Sequence, residues 1–207
     1  MSGQAEFWNE RYSGEDFSFG TEPNMFLASQ AHRLKPGMRA LAPGDGEGRN
    51  GVWLAQQGLG VDTVDVSSAG AAKARALAKE RGVTIGAQIA DLLDWNWPRE
   101  RYDIVAALYI HFFDADRPRM HRAMLDALKP GGLIVLESFR IEQLEFQKAQ
   151  SSGGPRSADM LCSRAKLEAD FAEATFLLLE EANVELNEGR RHKGSAAVIR
   201  AVVQKPL

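Results

Sequence analysis

Residues 41–50 read Leu-Ala-Pro-Gly-Asp-Gly-Glu-Gly-Arg-Asn, and no other stretch restricts the architecture of the chain as strongly. Gly44, Gly46 and Gly48 follow the apolar run Met38–Ala42 and precede a helical pattern over Asn50–Gln57. A strand that turns through glycines into a helix lets bare backbone approach a ligand, because no Cβ obstructs it and positive φ costs little. The free N–H groups at the helix start then face that ligand. Such a loop suits a nucleotide-like cofactor. The spacing is G-x-G-x-G, with Arg49 and Asn50 at the positions leading to the third glycine of the dinucleotide fingerprint G-x-G-x-x-G. An NAD-dependent oxidoreductase is the weaker reading for that reason.

The remaining pattern alternates strands with helices. A short helix is expected over 4–12, a second helical pattern from Asn24 to Leu34, and a turn at Pro36-Gly37 before the first strand. Gly58 stops the helix after the glycine loop. Strand two is expected at Gly60–Val66, and Ser67 or Ser68 can cap an Ala-rich helix running to Arg81. Strands three and four are expected at Thr84–Ala90 and Ile104–Ile110; the latter is apolar throughout, as in a strand covered on both faces. A helix beginning at Asp116 and Pro118 should end at Lys129-Pro130-Gly131-Gly132, ahead of strand five at Leu133–Ser138. This β-α-β series implies a mainly parallel sheet with right-handed crossovers.

The tail changes character. Residues 140–160, punctuated by Ser151-Ser152-Gly153-Gly154-Pro155, read as a mobile loop, and a helix follows over Ser163–Phe171. Thr175–Leu186 and Ser195–Gln204 are apolar runs joined by a polar loop at 187–194, the signature of an antiparallel hairpin.

With 207 residues the chain is read as a single domain. A net charge of −3 argues against a nucleic-acid backbone as partner, since neutralising phosphates takes a clustered basic surface. The basic group Arg190, Arg191 and Lys193 is expected to be a solvated hairpin tip. A single cysteine, Cys162, excludes an internal disulfide and a Cys-cluster metal site, and it reads as a structural thiol. No apolar run approaches the roughly 20 residues that span a bilayer, and the first residues lack the basic and apolar regions of an export signal. The expectation is a cytoplasmic protein, monomeric or homodimeric, with no metal, nucleic-acid or membrane partner.

Four features fall at the carboxyl ends of the first four strands, where open α/β sheets bind ligands. They are the glycine loop, Asp65 seventeen residues after Gly48, the pair Asp91-Leu92, and Tyr109-Ile110-His111. Together with Tyr102-Asp103-Ile104-Val105 and Leu128-Lys129-Pro130-Gly131-Gly132, they resemble class I S-adenosylmethionine-dependent methyltransferases over residues 36–138. The terminal hairpin fits, since the seventh strand of that family runs against the others. A narrower resemblance, to the small bacterial methyltransferases grouped with tellurite-resistance enzymes, spans nearly the whole chain. Phe7-Trp8-Asn9-x-Arg11-Tyr12, Phe19-Gly20-Thr21-x-Pro23-Asn24, Gly-Glu-Gly-Arg-Asn and Glu188-Gly189-Arg190-x-His192-x-Gly194 carry it.

The resemblance implies an α/β, Rossmann-like, seven-stranded and mainly parallel sheet with a C-terminal antiparallel hairpin and helices on both faces. Residues 1–35 would be a helical lid, 36–138 the cofactor core, and 139–207 a substrate-side loop, helix and hairpin. S-adenosylmethionine would lie against Gly44, Asp45, Gly46, Gly48, Asn50, Asp65, Val66, Asp91, Leu92 and Tyr109. Asp65 would accept the ribose hydroxyls and Asp91 the adenine amino group, although either acid can also cap the segment that follows it. Many class I enzymes place an acid at the end of strand one where this chain has Ala42. The amino-acid end of the cofactor therefore lacks its usual partner.

His111 and His192 are candidate bases, against packed-aromatic and surface readings respectively. Tyr12, Phe17 and Phe19 are candidate lid residues, against plain helix packing. Arg140 and Arg156 can meet an anionic substrate, although solvated loop arginines are commoner. Trp53, Trp95 and Trp97 read as packing. The expected function is methyl transfer from S-adenosylmethionine to a small molecule, a thiol or chalcogen compound among the candidates. A catalytically silent S-adenosylmethionine-binding module is the alternative.

Overall fold

The computed structural model describes residues 3–149 and 152–207. Met1, Ser2 and, from the expected loop at 140–160, Gln150 and Ser151 lie outside the described residues.

Seven strands form one sheet in the order β3-β2-β1-β4-β5-β7-β6. They are β1 (Arg39–Pro43), β2 (Gly60–Asp65), β3 (Ile85–Ile89), β4 (Tyr102–Leu108), β5 (Leu128–Phe139), β6 (Thr175–Glu188) and β7 (His192–Gln204). The first five run parallel; β7 is antiparallel to β5, and β6 to β7. The chain steps outward from β1 through β2 to β3 and then returns to place β4 on the other side of β1. That reversal opens a crevice at the carboxyl ends of β1 and β4, the general ligand position of open α/β sheets.

The helices are α1 (Gly3–Tyr12), α2 (Met25–Ser29), α3 (Arg49–Gln56), α4 (Ser68–Glu80), α5 (Arg117–Ala127), α6 (Gln143–Ala149) and α7 (Arg164–Asp170). They cover two apolar layers. Leu41, Val105, Met124, Leu136, Phe171 and Ile199 lie in one; Leu27, Leu54, Val61, Ile104, Val135 and Val202 lie in the other. Alternate residues of β4 and β5 therefore enter opposite layers, which is why these strands read as continuous apolar runs. Trp95 and Trp97, edge-on to each other, pack against one layer, and Trp53 against the other, as expected.

Four expectations need correction. The pattern from Asn24 to Leu34 breaks into α2 and a single 3₁₀ turn, Ala31–Arg33. Asn24 caps α2 through its side chain, while Pro36 bars a helical Lys35 and so halts any continuation. Lys129–Gly132 is no helix terminus but the irregular opening of β5, where Leu128 already pairs with Tyr102 and Gly131 N–H donates to Lys205 O at 3.1 Å. The expected mobile loop at 140–160 contains α6 and a 3₁₀ turn, Ala158–Met160. Two glutamines of α6 bind the punctuated segment: Gln143 Nε2 donates to Gly153 O at 2.9 Å, and Gln147 Nε2 to the same carbonyl at 2.8 Å.

Finally, the polar segment 187–194 is mostly strand. β6 and β7 stay paired as far as Glu188 and His192, leaving only residues 189–191 to turn. Gly189, with φ of 71°, supplies that tight turn. Of the hydrophilic residues that suggested a loop, Glu188 and His192 are buried, while Asn187, Arg190, Arg191 and Lys193 stay exposed.

Candidate functional site

The glycine loop leaves β1 at Gly44, whose N–H donates to Val64 O at 2.7 Å. At Gly46 φ is 55°, and a Cβ there would lie 2.5 Å from the Tyr12 hydroxyl. At Gly48 φ is 91°, and a Cβ would meet Ala74 Cβ at 2.5 Å. Both positions are therefore closed to other residues by backbone conformation and by space alike. The loop ends at the start of α3, where Asp45 Oδ2 accepts the Gly51 N–H at 2.9 Å, while its Oδ1 is buried without a partner. Burial is the largest influence on this carboxyl and pushes its pKa up to about 7, against the opposing hydrogen bond from Gly51.

Asp65 ends β2 beside the loop. Its Oδ2 accepts Gly46 N–H and its Oδ1 accepts Ser67 N–H, each at 2.8 Å, so the acid ties loop and α4 together. Burial raises its pKa, with the two backbone N–H groups pulling the other way. Val66 is half-buried beside it. At the end of β3, Asp91 Oδ1 accepts the Leu93 N–H at 3.0 Å, and Leu92 packs into the core. The capping contact anticipated for Asp91 is thus present.

α1 closes over these acids. Asn9 Oδ1 accepts from Ser67 Oγ at 2.8 Å and from Ala69 N–H at 3.1 Å, which fastens α1 to the start of α4. Tyr12 is buried above Gly46 and Gly70 and stacks on Trp8. Burial and the nearby Asp65 and Glu47 charges raise its pKa, so the phenol stays protonated. The strap after α1 is anchored by Ser18 N–H, which donates to Glu47 Oε2 of the glycine loop at 2.7 Å. Of the candidate lid residues, Phe19 faces His192 with ring centroids 4.6 Å apart. Phe17 instead packs against Val52, Leu77 and Ala78 on the α3–α4 side.

At the carboxyl end of β4, Tyr109 adopts a left-handed conformation with φ of 53°. Such strain in a non-glycine residue persists only where surrounding structure enforces it. Here the Tyr109 N–H donates to Glu137 O at 2.8 Å and its hydroxyl donates to the Glu137 carboxylate. Phe139 separates the two candidate bases: His111 stacks on it at 5.7 Å, and His192 meets it edge-on at 5.5 Å. His192 is buried, contrary to the surface reading, between Phe19, Tyr109 and Phe139. Burial, reinforced by the nearby His192, lowers the pKa of His111 to about 4. Burial lowers that of His192 as well, against the opposing pull of Glu188.

A buried polar network joins the two halves of the site, and most of its members were not among the candidates. Glu188 Oε2 accepts from Arg49 Nη2 at 2.8 Å, while Oε1 accepts from Asn24 Nδ2 at 3.3 Å and from Met25 N–H at 3.2 Å. Asn24 Nδ2 also reaches Glu137 Oε1 at 3.3 Å, and Glu137 Oε2 accepts from Arg200 Nε at 2.8 Å. Asn50 Oδ1 accepts the Asn24 N–H at 2.9 Å. Arg49 and the neighbouring imidazole hold the Glu188 carboxyl down to about 2 despite its burial. The signals were Glu137 as the one acid ending an apolar strand, and Asn24, Arg49 and Glu188 as motif residues without an assigned task.

The structure therefore gathers Gly44, Asp45, Gly46, Gly48, Asn50 and Asp65 with Tyr12, and it gathers Tyr109 and His111 with His192 and Phe19. It does not bring Arg140 to them. That side chain faces β6, donating to Asn183 Oδ1 at 2.9 Å, with Glu181 3.6 Å away. Cys162 is buried and its pKa is raised by burial, consistent with a structural thiol.

These groups fit S-adenosylmethionine. Gly46 and Gly48 hold the loop in a positive-φ conformation that favours glycine, and Asp65 places a carboxylate at the end of β2, where hydroxyls can be accepted. Arg49, with Nη1 buried and unpartnered, can face the carboxylate of the methionine end. No group of three or more metal-ligating side chains occurs among the described residues.

Residues 40–132 match the family model of a methyltransferase domain. No curated protein sequence matches the chain. Among solved structures, one described for the conversion of a disulfide bond into a thioacetal group during echinomycin biosynthesis is 21% identical with a TM-score of 0.77, covering 98% of this chain and 90% of that one. TehB from Haemophilus influenzae is 16% identical with a TM-score of 0.71, over 98% of this chain and 67% of the other. The [4+2]-cyclase SpnF is 17% identical with a TM-score of 0.68, over 98% and 92%. At these identities the likeness is one of fold.

Proposed function

We propose that this chain, whose domain and fold are those of the S-adenosylmethionine-dependent methyltransferases, methylates a small-molecule acceptor of the thiol or chalcogen class. The observation that carries a small acceptor is the closure of the site by the chain itself. The strap and the hairpin turn touch through bare backbone: a Cβ on Gly189 would lie 2.4 Å from Gly20 N. Phe19, on the same strap, covers His192. A roof of that kind suits a compact acceptor and excludes water from it.

The domain implies S-adenosylmethionine as cofactor, which supplies a methyl group already activated on a sulfonium sulfur. In this reading the protein contributes alignment and a dry site, worth several kcal/mol in reactions of this type. Asp65 holds the ribose, Val66, Asp91 and Leu92 surround the adenine, and the methionine end lies against the backbone of Gly44–Gly48. Asp45 and Asn50 brace the loop from below. Arg49 receives the methionine carboxylate, and Asp45, whose Oδ1 is buried without a partner, is the acid that answers the ammonium group in place of the one missing at Ala42.

Toward the acceptor, His111 stays neutral at neutral pH and is a poor proton acceptor for a thiol, whose ordinary pKa is about 8.5. His192 is better suited, because the Glu188 carboxylate 3.5 Å from its Nδ1 steadies the imidazolium that proton transfer would create. Tyr109 and Phe139 wall the space between the two rings.

The test is calorimetric titration with S-adenosylmethionine and, separately, NAD. Assay of S-adenosylhomocysteine formation against thiols, chalcogen oxyanions, amines and phenols then follows. Binding of S-adenosylmethionine alone, with turnover on a thiol or chalcogen compound, is the expected result. Binding with no turnover on any acceptor would establish the silent module instead.

A further inference from the structure

A second feature lies on the outer side of the strap. Between the end of α1, residues 14–18 and the hairpin turn is a cleft of about 320 Å³, lined by Arg11, Asp16, Phe17, Ser18, Arg190 and Arg191 among others. Its three arginines are not equivalent. Arg190 is neutralised by Asp16, to which it is ion-paired. Arg11 and Arg191 form no ion pair with any carboxylate among the described residues, although Glu15 also lines the cleft. They are nevertheless close enough to repel: after burial, the Arg191 charge is the next influence lowering the pKa of Arg11.

Two like charges facing one cleft cost free energy unless something negative sits between them. Arg11 is moreover held in place. Its guanidinium lies over the Phe7 ring at 4.6 Å and the Trp8 ring at 5.2 Å, and its carbonyl accepts from Ser18 Oγ at 3.0 Å. A stacked guanidinium keeps its planar edge of N–H donors free, and that edge matches a carboxylate or phosphate in two-point contact.

We infer that this cleft binds the anionic group of a small molecule, a carboxylate or a phosphate, with Arg11 and Arg191 as its two guanidinium ligands. The site shares no lining residue with the glycine loop, Asp65, Tyr109, His111 or His192, and it does not depend on the cofactor. Occupancy joins three elements that otherwise meet with unbalanced charge: α1, the strap and the hairpin turn. The strap in turn donates from Ser18 to Glu47 in the glycine loop. An anion held here therefore fastens the cover over that loop.

The experiment is titration of the full chain, without cofactor, with inorganic phosphate and with acetate at constant ionic strength. Either method of following it, calorimetry or amide chemical shifts, reads the same quantity. Saturable binding is expected, weakened at least tenfold by Arg191→Gln and by Arg11→Gln. Arg164→Gln, an exposed arginine on α7, should leave it unchanged. Arg191 is exposed on the turn, so its replacement leaves the packed structure intact and keeps the test independent of folding. Tighter phosphate binding identifies a phosphoryl ligand, and tighter acetate binding a carboxylate; both support the site. Binding of neither anion, or saturable binding that survives both substitutions, overturns it.

Discussion

The Arg49 guanidinium donates to Glu188 at 2.8 Å, joining the first residue of α3 to the last residue of β6 across 139 positions of sequence. Both side chains are buried, with side-chain exposures of 8% and 5%. Removing one member of a buried pair leaves the other charge uncompensated, which costs about 3–5 kcal/mol. Glu188→Gln should therefore lower unfolding stability by about 3 kcal/mol, since the amide keeps part of the hydrogen bonding. Urea unfolding at pH 7 measures this. The pair also sets an acid limit. The Glu188 pKa falls from 4.5 in the unfolded chain to about 2 when folded, so its contribution is complete above pH 4.5 and lost on acidification toward pH 2. The gap between wild type and Glu188→Gln should close over that interval. A gap that persisted at pH 2 would remove the ionised carboxylate from the explanation.

The Asp65 carboxylate bonds the Gly46 and Ser67 N–H groups and, in the proposed function, the ribose hydroxyls. Asp65→Ala should weaken S-adenosylmethionine binding by about 1–3 kcal/mol, the range for a lost charged partner. Asp65→Asn retains one acceptor oxygen and should fall between Ala and wild type. Calorimetric titration gives the dissociation constants. An unchanged value for Asp65→Ala would refute the ribose assignment, whereas equal loss in both variants would mark the loop's anchoring as the whole effect.

The parallel sheet, the glycine turn and the terminal hairpin were legible because each is a local pattern. Strands β4 and β5 are apolar on both faces, and Gly46 and Gly48 cannot carry side chains in the space available. The Glu188 network was not legible in that way. Asn24, Arg49, Glu137, Glu188 and Arg200 lie far apart in sequence, and each is an ordinary polar residue until the sheet brings them together. The segment 187–194 reads as loop because it is polar throughout; Glu188 is satisfied internally by Arg49 and Asn24, while Asn187, Arg190, Arg191 and Lys193 are exposed. α6 was missed because two glutamine side chains, Gln143 and Gln147, supply the order that its glycine-rich neighbour lacks. The acid missing at Ala42 is visible in the sequence; the buried, unpartnered Arg49 Nη1 is not.

Gly46 and Tyr12 test the lid. Gly46→Ala meets both a φ of 55° and a hydroxyl 2.5 Å from the new Cβ. The conformational part costs roughly 1 kcal/mol or more in a non-glycine residue. Tyr12→Phe removes the hydroxyl but leaves the ring carbon Cζ 2.9 Å from that Cβ, so it relieves the contact only in part and leaves the backbone untouched. The double variant should therefore recover only part of the cofactor affinity lost by Gly46→Ala. Tyr12→Ala alone, which uncovers the loop, should speed S-adenosylhomocysteine release several-fold in a stopped-flow displacement experiment. A release rate equal to wild type would show that Tyr12 packs α1 without gating the site.

Asp45 and His111 oppose one another in their effect on stability between about pH 4 and 6.5. Burial raises the Asp45 pKa from 3.8 to about 7. The folded protein thus holds a proton that the unfolded chain has released, and stability declines as pH rises through that window. Burial lowers the His111 pKa from 6.5 to about 4. There the unfolded chain holds the extra proton, and stability rises with pH over nearly the same range. Each slope is about 1.4 kcal/mol per pH unit, and together they nearly cancel. Asp45→Asn keeps an oxygen for the Gly51 N–H and removes the first effect. Its stability should climb with pH from 4 to 6.5, by about 3 kcal/mol in all, and should exceed that of wild type at pH 8. His111→Phe should do the reverse, losing stability as pH rises from 4 to 6.5. Melting temperatures in a pH series distinguish these cases. Parallel curves for wild type and Asp45→Asn would mean that Asp45 is ionised throughout, and the buried, unpartnered Oδ1 would then need a cation beside it.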